Sequence, residues 1–396
     1  MFGLSACVWA LRRRRLGEGV VRALPSGEDV LVCFSVRSGL DLLLGALGEA
    51  PGGEVIVSAV THPDMVRIIE GHGLRAVPLD IDPSTLEPRA ELLEAALSPR
   101  TRAILVAHLF GGRFDLSPFA VFARRHGLLL VEDCAQAFRG PEDAGDRLAD
   151  VSMFSFGSIK TATAAGGALL RVRDPYLLAA MRRVQQGWPV QTRQRYAGRL
   201  LKALCLVLLG NPLVYGLVAR GCEAAGPDLD GLINGAVRAF GASDEGIEEL
   251  LRRIRHQPSA ALLSLLSRRL RTFDEGRLAR RARSGELAAS RLPGTVSHPG
   301  GYAPVRTHWL FPVVVPDPDS LVAALRERGF DASRATSSIA PVPATPGLTR
   351  FTPEKANRMM SRVVFLPVYP ELPEEALDLL SKTVAETTAS TREDHA

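Results

Sequence analysis

The 396-residue chain is hydrophobic at 46% of its positions and charged at 23%, a composition that indicates a folded globular protein and excludes a disordered one. Its length suffices for one large domain and a second, smaller domain. The net charge of +5 comes from arginines that are spread along the chain, which argues against a dedicated nucleic-acid-binding stripe.

The first 29 residues are predicted to form an N-terminal arm that contains the basic run Arg12–Arg15. We interpret this run as a solvated or membrane-facing cluster. Apolar residues precede it, the reverse of the order in a secretory signal, so no secretory signal is expected. The five cysteines lie in apolar stretches without C-x-x-C spacing, as expected for reduced thiols in a cytoplasmic protein.

Residues 30–186 alternate short strand-like runs with helix-like segments. The strand candidates are apolar on both faces and are, in chain order, "DVLVCFSV", "EVIVSAV", "LRAVPLD", "AILVAHL", "LLLVED" and "VSMFSF". Segments between them, such as "SGLDLLLGALG" and "PDMVRIIEGHG", have helical spacing. This alternation predicts a large α/β domain, a three-layer structure with a mostly parallel sheet. Ligands of such sheets bind at the carboxyl ends of the strands.

Residues 187–242 are predicted to be an apolar helical insertion. Its segment 199–221 contains two apolar runs that are interrupted by Gly210, Asn211 and Pro212, and neither run reaches the roughly 20 residues that a membrane-spanning helix needs. Two interpretations stay open for 199–221: contact with a membrane surface, or a helical hairpin packed on the domain or on a partner subunit.

Residues 243–388 are predicted to form a smaller C-terminal α+β domain. It begins with a long arginine-rich helical stretch over 245–291. The strand candidate "THWLFPVVV", the helix "DPDSLVAALRERG", the strand "SRVVFLPVY" and the helix "PEEALDLLSKTVAE" follow. The polar residues 389–396 are expected to form a frayed tail.

Lys160 is one of only four lysines, whereas Lys and Arg together number 48. An arginine would serve for a salt bridge, but only a lysine can lose its proton near neutral pH and attack a carbonyl. A packed lysine whose amine reaches water is the alternative interpretation.

Asp133 ends the buried strand "LLLVED", and Lys160 follows one strand later. Carboxyl ends of neighbouring parallel strands meet at one sheet edge, so a carboxylate and an amine are expected there together. This pair suits pyridoxal 5′-phosphate (PLP), because the aspartate keeps the pyridine nitrogen protonated and the lysine holds the aldehyde as a Schiff base. The histidines show no metal-ligand spacing, so no metal is expected.

The motifs "SGLDLLLGALG", "PGGEVIVSAVTH", "VPLDIDP", "VAHLFGG", "HGLLLVEDCAQAF", "FSFGSIKTATAAGGALL" and "FLPVYPEL" resemble those of the DegT/DnrJ/EryC1/StrS aminotransferases. These are fold-type-I PLP enzymes that mostly aminate keto-sugar nucleotides. The pair "EDCAQA" and "FSF…K" carries most of the specificity. The resemblance implies that Lys160 is the Schiff-base lysine and proton shuttle, that Asp133 pairs with the pyridinium nitrogen, and that Gln136 contacts the ring hydroxyl.

The resemblance also implies residues for the rest of the cofactor. Ser155 and the turn of Ser38, Gly39 and Leu40 would hold the phosphate, and backbone amides at a helix start favour the latter role independently. His62 takes the position where the family stacks an aromatic ring on the cofactor. An ordinary turn histidine is the alternative for this residue.

Several positions depart from the family pattern. Leu40 replaces the usual threonine of the phosphate site, and Thr161 replaces an asparagine or histidine. "RHQPSAALLSLL" (255–266) stands in place of the Asn-x-Arg-Met segment, which helps to form the substrate site. Together these departures weaken the expectation of a sugar-nucleotide substrate more than the expectation of PLP as the cofactor.

The sequence thus predicts a cytoplasmic PLP-dependent aminotransferase. The resemblance further implies a homodimer, glutamate as the donor and a keto-sugar nucleotide as the acceptor, as in polysaccharide biosynthesis. Two alternatives stay open. One is a PLP enzyme peripheral to the inner face of the membrane that acts on a lipid-linked sugar or lipid ketone. The other is a PLP-binding scaffold or regulator without catalysis.

Overall fold

The computed structural model describes residues 15–24, 29–48, 51–209, 246–334, 339–344 and 352–393. The predicted N-terminal arm is therefore described only in part. Of the predicted insertion 187–242, the portion 210–242 lies outside the described residues, and with it half of the apolar segment 199–221.

A seven-stranded sheet forms the centre of the large domain. The strands of the described chain are β1 (Val30–Cys33), β2 (Glu54–Ser58), β3 (Val60–Thr61), β4 (Arg75–Leu79), β5 (Thr101–Ala107), β6 (Gly112–Arg113), β7 (Leu129–Asp133), β8 (Val151–Ser155), β9 (Ala168–Val172), β10 (Val305–Arg306), β11 (Phe311–Val314), β12 (Ala340–Pro341) and β13 (Val363–Leu366). The central order is β1-β9-β8-β7-β5-β2-β4. β9 runs antiparallel to both of its neighbours, and the other pairings of this sheet are parallel. The predicted mostly parallel α/β fold is confirmed.

Helices cover both faces of this sheet. The described helices are α1 (15–21), α2 (Val36–Leu47), α3 (Pro63–Gly71), α4 (Leu93–Ala96), α5 (Ser117–His126), α6 (Pro175–Gln186), α7 (Arg193–Leu209), α8 (Ile247–Ile254), α9 (Ala260–Arg271), α10 (Glu275–Arg291), α11 (Pro318–Glu327), α12 (Glu354–Arg362) and α13 (Glu374–Glu393). On β2, Val55 and Val57 belong to the core shared with α2, α3 and α6, whereas Ile56 belongs to the core shared with α5. Successive strand residues point to opposite faces, which is why both kinds of position are apolar.

The arginine-rich stretch 245–291 is divided into three helices, α8, α9 and α10. The first break contains "HQP" and ends at Ser259, which caps α9 by accepting from the Leu262 N–H. At the second break, Asp274 caps α10 by accepting from the Arg277 N–H. Such caps satisfy the free N–H groups of a new helix and so set its start. Leu250 and Leu262 lie in cores of the large domain, so α8 and α9 pack with that domain.

The C-terminal part is built on the antiparallel pair β11–β13, with a core that α10, α11 and α13 share. Two short pairings, β10 with β6 and β12 with β3, join this part to the large domain. α13 extends to Glu393 and thus includes the first residues of the segment predicted to be frayed. Within the described residues, no helix has both the length and the apolar character needed to cross a membrane.

Candidate active site

Asp133 and Lys160 meet at the carboxyl edge of the sheet. Asp133 is the last residue of β7 and is buried, and its Oδ1 accepts a hydrogen bond of 2.8 Å from the Ala135 N–H. Burial raises the pKa of Asp133, while the Ala135 N–H and the charge of Lys160 oppose this shift. Burial in turn lowers the pKa of Lys160 to about 8. The charge of Asp133 raises that pKa and the charge of Arg37 lowers it, so these groups share one site.

Residues of the C-terminal part close over Lys160. Its Nζ lies 4.4 Å from the centroid of the Trp309 ring, and the Trp309 Nε1 donates to the Ile159 carbonyl at 3.2 Å. Arg281 donates to the hydroxyl of Thr161 at 3.3 Å. A cation over an indole face is stabilised by the ring quadrupole. Sequence reasoning missed Trp309 and Arg281, because they reach Lys160 and Thr161, respectively, only through the packing of the two parts of the chain.

His62 is the N-cap of α3. Its Nδ1 accepts from the Asp64 N–H at 3.1 Å, which leaves the ring proton on Nε2. The pKa of His62 is lowered to about 4, mainly by burial and also by the positive charges of Arg37 and Lys160. The negative charge of Asp64 opposes this shift. The imidazole is therefore neutral near pH 7. A neutral ring adds no further positive charge beside Arg37 and Lys160 and can stack on an aromatic cofactor.

The predicted phosphate turn lies inside a helix. Ser35 is the N-cap of α2, so Ser38, Gly39 and Leu40 occupy its first turns rather than a strand-to-helix turn. The Ser38 Oγ donates to the Ile254 carbonyl at 2.8 Å, and its N–H donates to Ser35 Oγ at 3.1 Å. Leu40 is buried in the core.

Close packing explains Gly39. A Cβ added there would lie 2.4 Å from a methyl carbon of Leu170 on β9, a distance that no real Cβ contact tolerates. The side chains at 38–40 are thus engaged within the fold. The N–H groups of Val36 and Arg37 at the start of α2 are available to an anion, since the first N–H groups of a helix have no intrahelical partner. The phosphate role of Ser38, Gly39 and Leu40 stays a prediction.

Gln136 and Ser155 lie near Asp133 and Lys160 in the chain. The buried Gln136 accepts from the Phe110 N–H through Oε1 at 2.9 Å, which leaves its NH₂ group for a ligand. Ser155 ends β8 and is partly buried. The roles of both residues toward a cofactor stay predictions.

Arg37 is a further residue of the site that sequence reasoning missed. Its guanidinium donates to Asp64 Oδ2 at 2.5 Å, and its charge lowers the pKa values of His62 and Lys160. It lies directly before Ser38 in the chain, and its position next to a predicted phosphate site is the signal that could have identified it.

A second polar cluster lies beside Asp133. The ligand atoms of His108, Glu132 and Cys134 are within 4.8 Å of one another. The His108 Nε2 is 3.0 Å from Glu132, and Arg113 is 3.5 Å from the same carboxylate. Because a guanidinium already balances the carboxylate, we interpret the cluster as a buried ion-paired network. Glu132 and Asp133 are successive strand residues and so point to opposite faces of the sheet.

Comparison with known proteins finds a family resemblance. Residues 18–210, just under half of the chain, match the model of the DegT/DnrJ/EryC1/StrS aminotransferase family. GDP-perosamine synthase of Caulobacter vibrioides is 36% identical over 173 residues, which cover 43% of this chain and 46% of the synthase. The chain thus aligns with about half the length of this curated relative.

Solved structures of the same fold cover most of the chain. The aminotransferase TlmJ of Streptoalloteichus hindustanus has a TM-score of 0.67 at 21% identity, covering 96% of this chain and 91% of its own. NtdA of Bacillus subtilis, solved with the bound cofactor PMP, has a TM-score of 0.65 at 17% identity, covering 91% and 73%. The predicted resemblance to this family is confirmed over residues 18–210, and the predicted fold is confirmed over most of the chain.

Proposed function

We propose that this protein is a member of the DegT/DnrJ/EryC1/StrS family, a PLP-dependent aminotransferase that moves an amino group from a donor such as glutamate to a keto-sugar nucleotide. The observation that carries the proposal is the Lys160 amine, with a pKa lowered to about 8, beside the buried Asp133 carboxylate. A lysine that titrates near neutral pH next to an acid is expected where an amine must both bind a carbonyl and carry a proton.

The groups at the sheet edge fit PLP. Asp133 would hold the pyridine nitrogen protonated, the Gln136 NH₂ would reach the ring hydroxyl, and His62 would stack its neutral ring. The N–H groups of Val36 and Arg37 would face the phosphate. When bound, PLP supplies an aldehyde for imine formation and a ring that withdraws electrons from the carbon next to it.

Lys160 performs the proton transfers in this proposal. Its Nζ would take a proton from the α-carbon of the donor and would later give that proton back. Because its pKa is about 8, the neutral and protonated forms differ by little free energy near neutral pH, which suits a group that accepts and releases a proton in one cycle. Trp309 limits the access of water to Nζ from the C-terminal side.

The acceptor and the assembly are the finer parts of the proposal. Similarity to a GDP-perosamine synthase supports a keto-sugar nucleotide as acceptor. We propose a cytoplasmic homodimer, as expected from the sequence.

The test is the donor half reaction. The purified protein with PLP is mixed with glutamate, and conversion to pyridoxamine phosphate is followed by absorbance before keto-sugar nucleotides are screened as acceptors. Lys160→Arg should abolish both the visible absorbance of lysine-bound cofactor and the transfer. Lys202→Arg, on the exposed part of α7, is the matched control. Unchanged turnover in Lys160→Arg would refute the proposal, and bound PLP that glutamate never converts would indicate a scaffold or regulator.

The exposed face of α7 favours a second candidate, an enzyme that works at a membrane surface on a lipid-linked sugar or lipid ketone. Leu201, Leu204 and Leu208 are 62%, 53% and 51% exposed and recur at helical spacing on one face. Basic residues, among them Arg195 and Lys202, accompany them, as in helices that lie in a lipid interface.

Flotation with liposomes that contain anionic lipid distinguishes the two candidates. Replacement of the three leucines by glutamine should abolish flotation if α7 contacts lipid. A wild-type protein that stays at the bottom of the gradient would eliminate the membrane candidate and leave the soluble enzyme.

A further inference from the structure

α7 packs against the loop that follows Lys160. The hydroxyl of the buried Tyr196 donates to the Ala164 carbonyl at 2.8 Å, which anchors the helix at this point. One turn later, the Cζ of Arg199 lies 4.6 Å from the centroid of the Phe34 ring. Its Nη1 would be 2.9 Å from a Cβ placed on Gly166. Arg199 therefore contacts both the β1–α2 connection and the loop that carries Lys160.

These two segments meet at the start of α2. Phe34 precedes the N-cap Ser35, and its carbonyl accepts from the Gly167 N–H at 2.9 Å. The guanidinium of Arg199 is thus held close to the end of α2 where free N–H groups and the positive end of the helix dipole favour an anion.

Arg199 lies among several other positive charges. Within the described residues, Arg199 makes no ion pair with a carboxylate. Burial and the positive charges of Arg195 and Arg37, reinforced by that of Arg253, lower its pKa to about 10. The nearby acid Asp64 is already engaged by two arginines, Arg37 and Arg67. Clustered, partly buried cations are destabilising unless an anion joins them.

The start of α2 also lacks donors for a dianion. The Ser38 hydroxyl and N–H are engaged within the fold, and Leu40 supplies no hydroxyl. A phosphate group carries up to two negative charges and three acceptor oxygens, more than the Val36 and Arg37 N–H groups can satisfy.

We propose that Arg199, supported by Arg37, binds the phosphate group of PLP and takes the place of the missing hydroxyl donor at position 40. This inference rests on the proposed function, because it assigns residues to the cofactor of that same site. It gives α7 a role in the cofactor site that is independent of any contact with lipid.

The experiment compares PLP with pyridoxal, which has the same ring and aldehyde but no phosphate. Dissociation constants of both are measured by absorbance titration for the wild type and for Arg199→Gln. Lys202→Gln is the matched control, since Lys202 lies one turn later on the same helix, its side chain is exposed, and it is not among the charges that act on Arg199. Circular dichroism and the melting temperature of each apo protein verify that the variants fold.

We expect Arg199→Gln to weaken PLP binding by about 10-fold or more, as for loss of a charge-assisted hydrogen bond, with pyridoxal binding unchanged. Lys202→Gln should leave the ratio of the two constants within about twofold of the wild-type ratio. Inorganic phosphate should raise the melting temperature of the apo wild type and have less effect on Arg199→Gln.

Other outcomes overturn the inference. Equal loss of affinity for PLP and pyridoxal would mean that Arg199 only supports the loop structure. If Arg199→Gln leaves the ratio of the PLP and pyridoxal dissociation constants unchanged but weakens the binding of an anionic substrate, Arg199 binds that substrate and not the phosphate of PLP. In both cases lysine-bound PLP in the wild type would leave the proposed function standing. A wild type that binds neither compound would contradict both proposals.

Discussion

Attachment of PLP to Lys160 should increase with pH around a midpoint near 8. Only the neutral amine attacks an aldehyde, so the rate of attachment follows the deprotonated fraction of Nζ. Burial removes water from the ammonium group and lowers its pKa to about 8 from the ordinary 10.5, although the charge of Asp133 opposes the shift. Asp133→Asn separates the two causes, because it removes the opposing negative charge and leaves the burial of Lys160 and the shape of the side chain nearly unchanged.

The size of the effect follows from the two pKa values. At pH 7 about a tenth of amines with a pKa of about 8 are neutral, against about 0.03% of amines with the ordinary value, a difference of roughly 300-fold. Without the charge of Asp133 the pKa of Lys160 should fall further, so the midpoint should move below 8. Arg37→Gln should move the midpoint in the opposite direction, because the charge of Arg37 lowers this pKa.

The assay is rapid mixing of apo protein with PLP at a series of pH values, with the absorbance of the lysine-bound cofactor as the signal. Lys160→Arg should give no signal at any pH and is the blank. A wild-type midpoint close to 10.5, or an Asp133→Asn midpoint above that of the wild type, would refute the reasoning about burial and charge.

Three further outcomes are expected. Asp133→Asn should retain part of the PLP affinity but lose most of its turnover, because the ring nitrogen is no longer kept protonated, and a wild-type rate in the glutamate half reaction would contradict this. Gly39→Ala should lower the free energy of unfolding by about 1–3 kcal/mol, because the added Cβ would overpack against Leu170. Denaturant titration tests this, with Gly198→Ala in α7, where an added Cβ meets nothing within 4 Å, as the control. The hydrogen bond and charge of His108 hold the pKa of Glu132 well below its usual range, although burial acts in the opposite direction. This pair should therefore add stability above about pH 4.5, and this stability is lost as the pH falls. Glu132→Gln should have a lower melting temperature than the wild type at neutral pH, and its melting temperature should fall less on acidification.

The predictions that were confirmed depend on local patterns. Strands such as β2 are apolar on both faces because helices cover the sheet on both sides, and this property is visible in the residues Val55, Ile56 and Val57 alone. The resemblance to the family follows from short motifs, "EDCAQA" and "FSF…K", whose residues are close in the chain. Such features need no knowledge of how distant segments pack.

The start of α2 could not be predicted from the local sequence pattern. A run of small residues before a helix predicts a turn at Ser38 and Gly39, but Ser35 is the cap and the helix begins two residues before Ser38. Gly39 is required by the approach of Leu170, which is far away in the chain. The boundary of a helix depends on its cap, and close approach depends on tertiary contacts.

By itself, then, the sequence determined the mostly parallel sheet, the resemblance to the family, and the placement of Asp133 and Lys160 at the same edge of the sheet, because periodicity and motif spacing are properties of the chain. Only the tertiary structure decided that Trp309 lies over the Lys160 amine, that His62 is neutral, and that Arg199 stands beside the start of α2. These depend on burial and on charges that residues far apart in sequence bring to one place, and neither burial nor distance can be read from the order of residues.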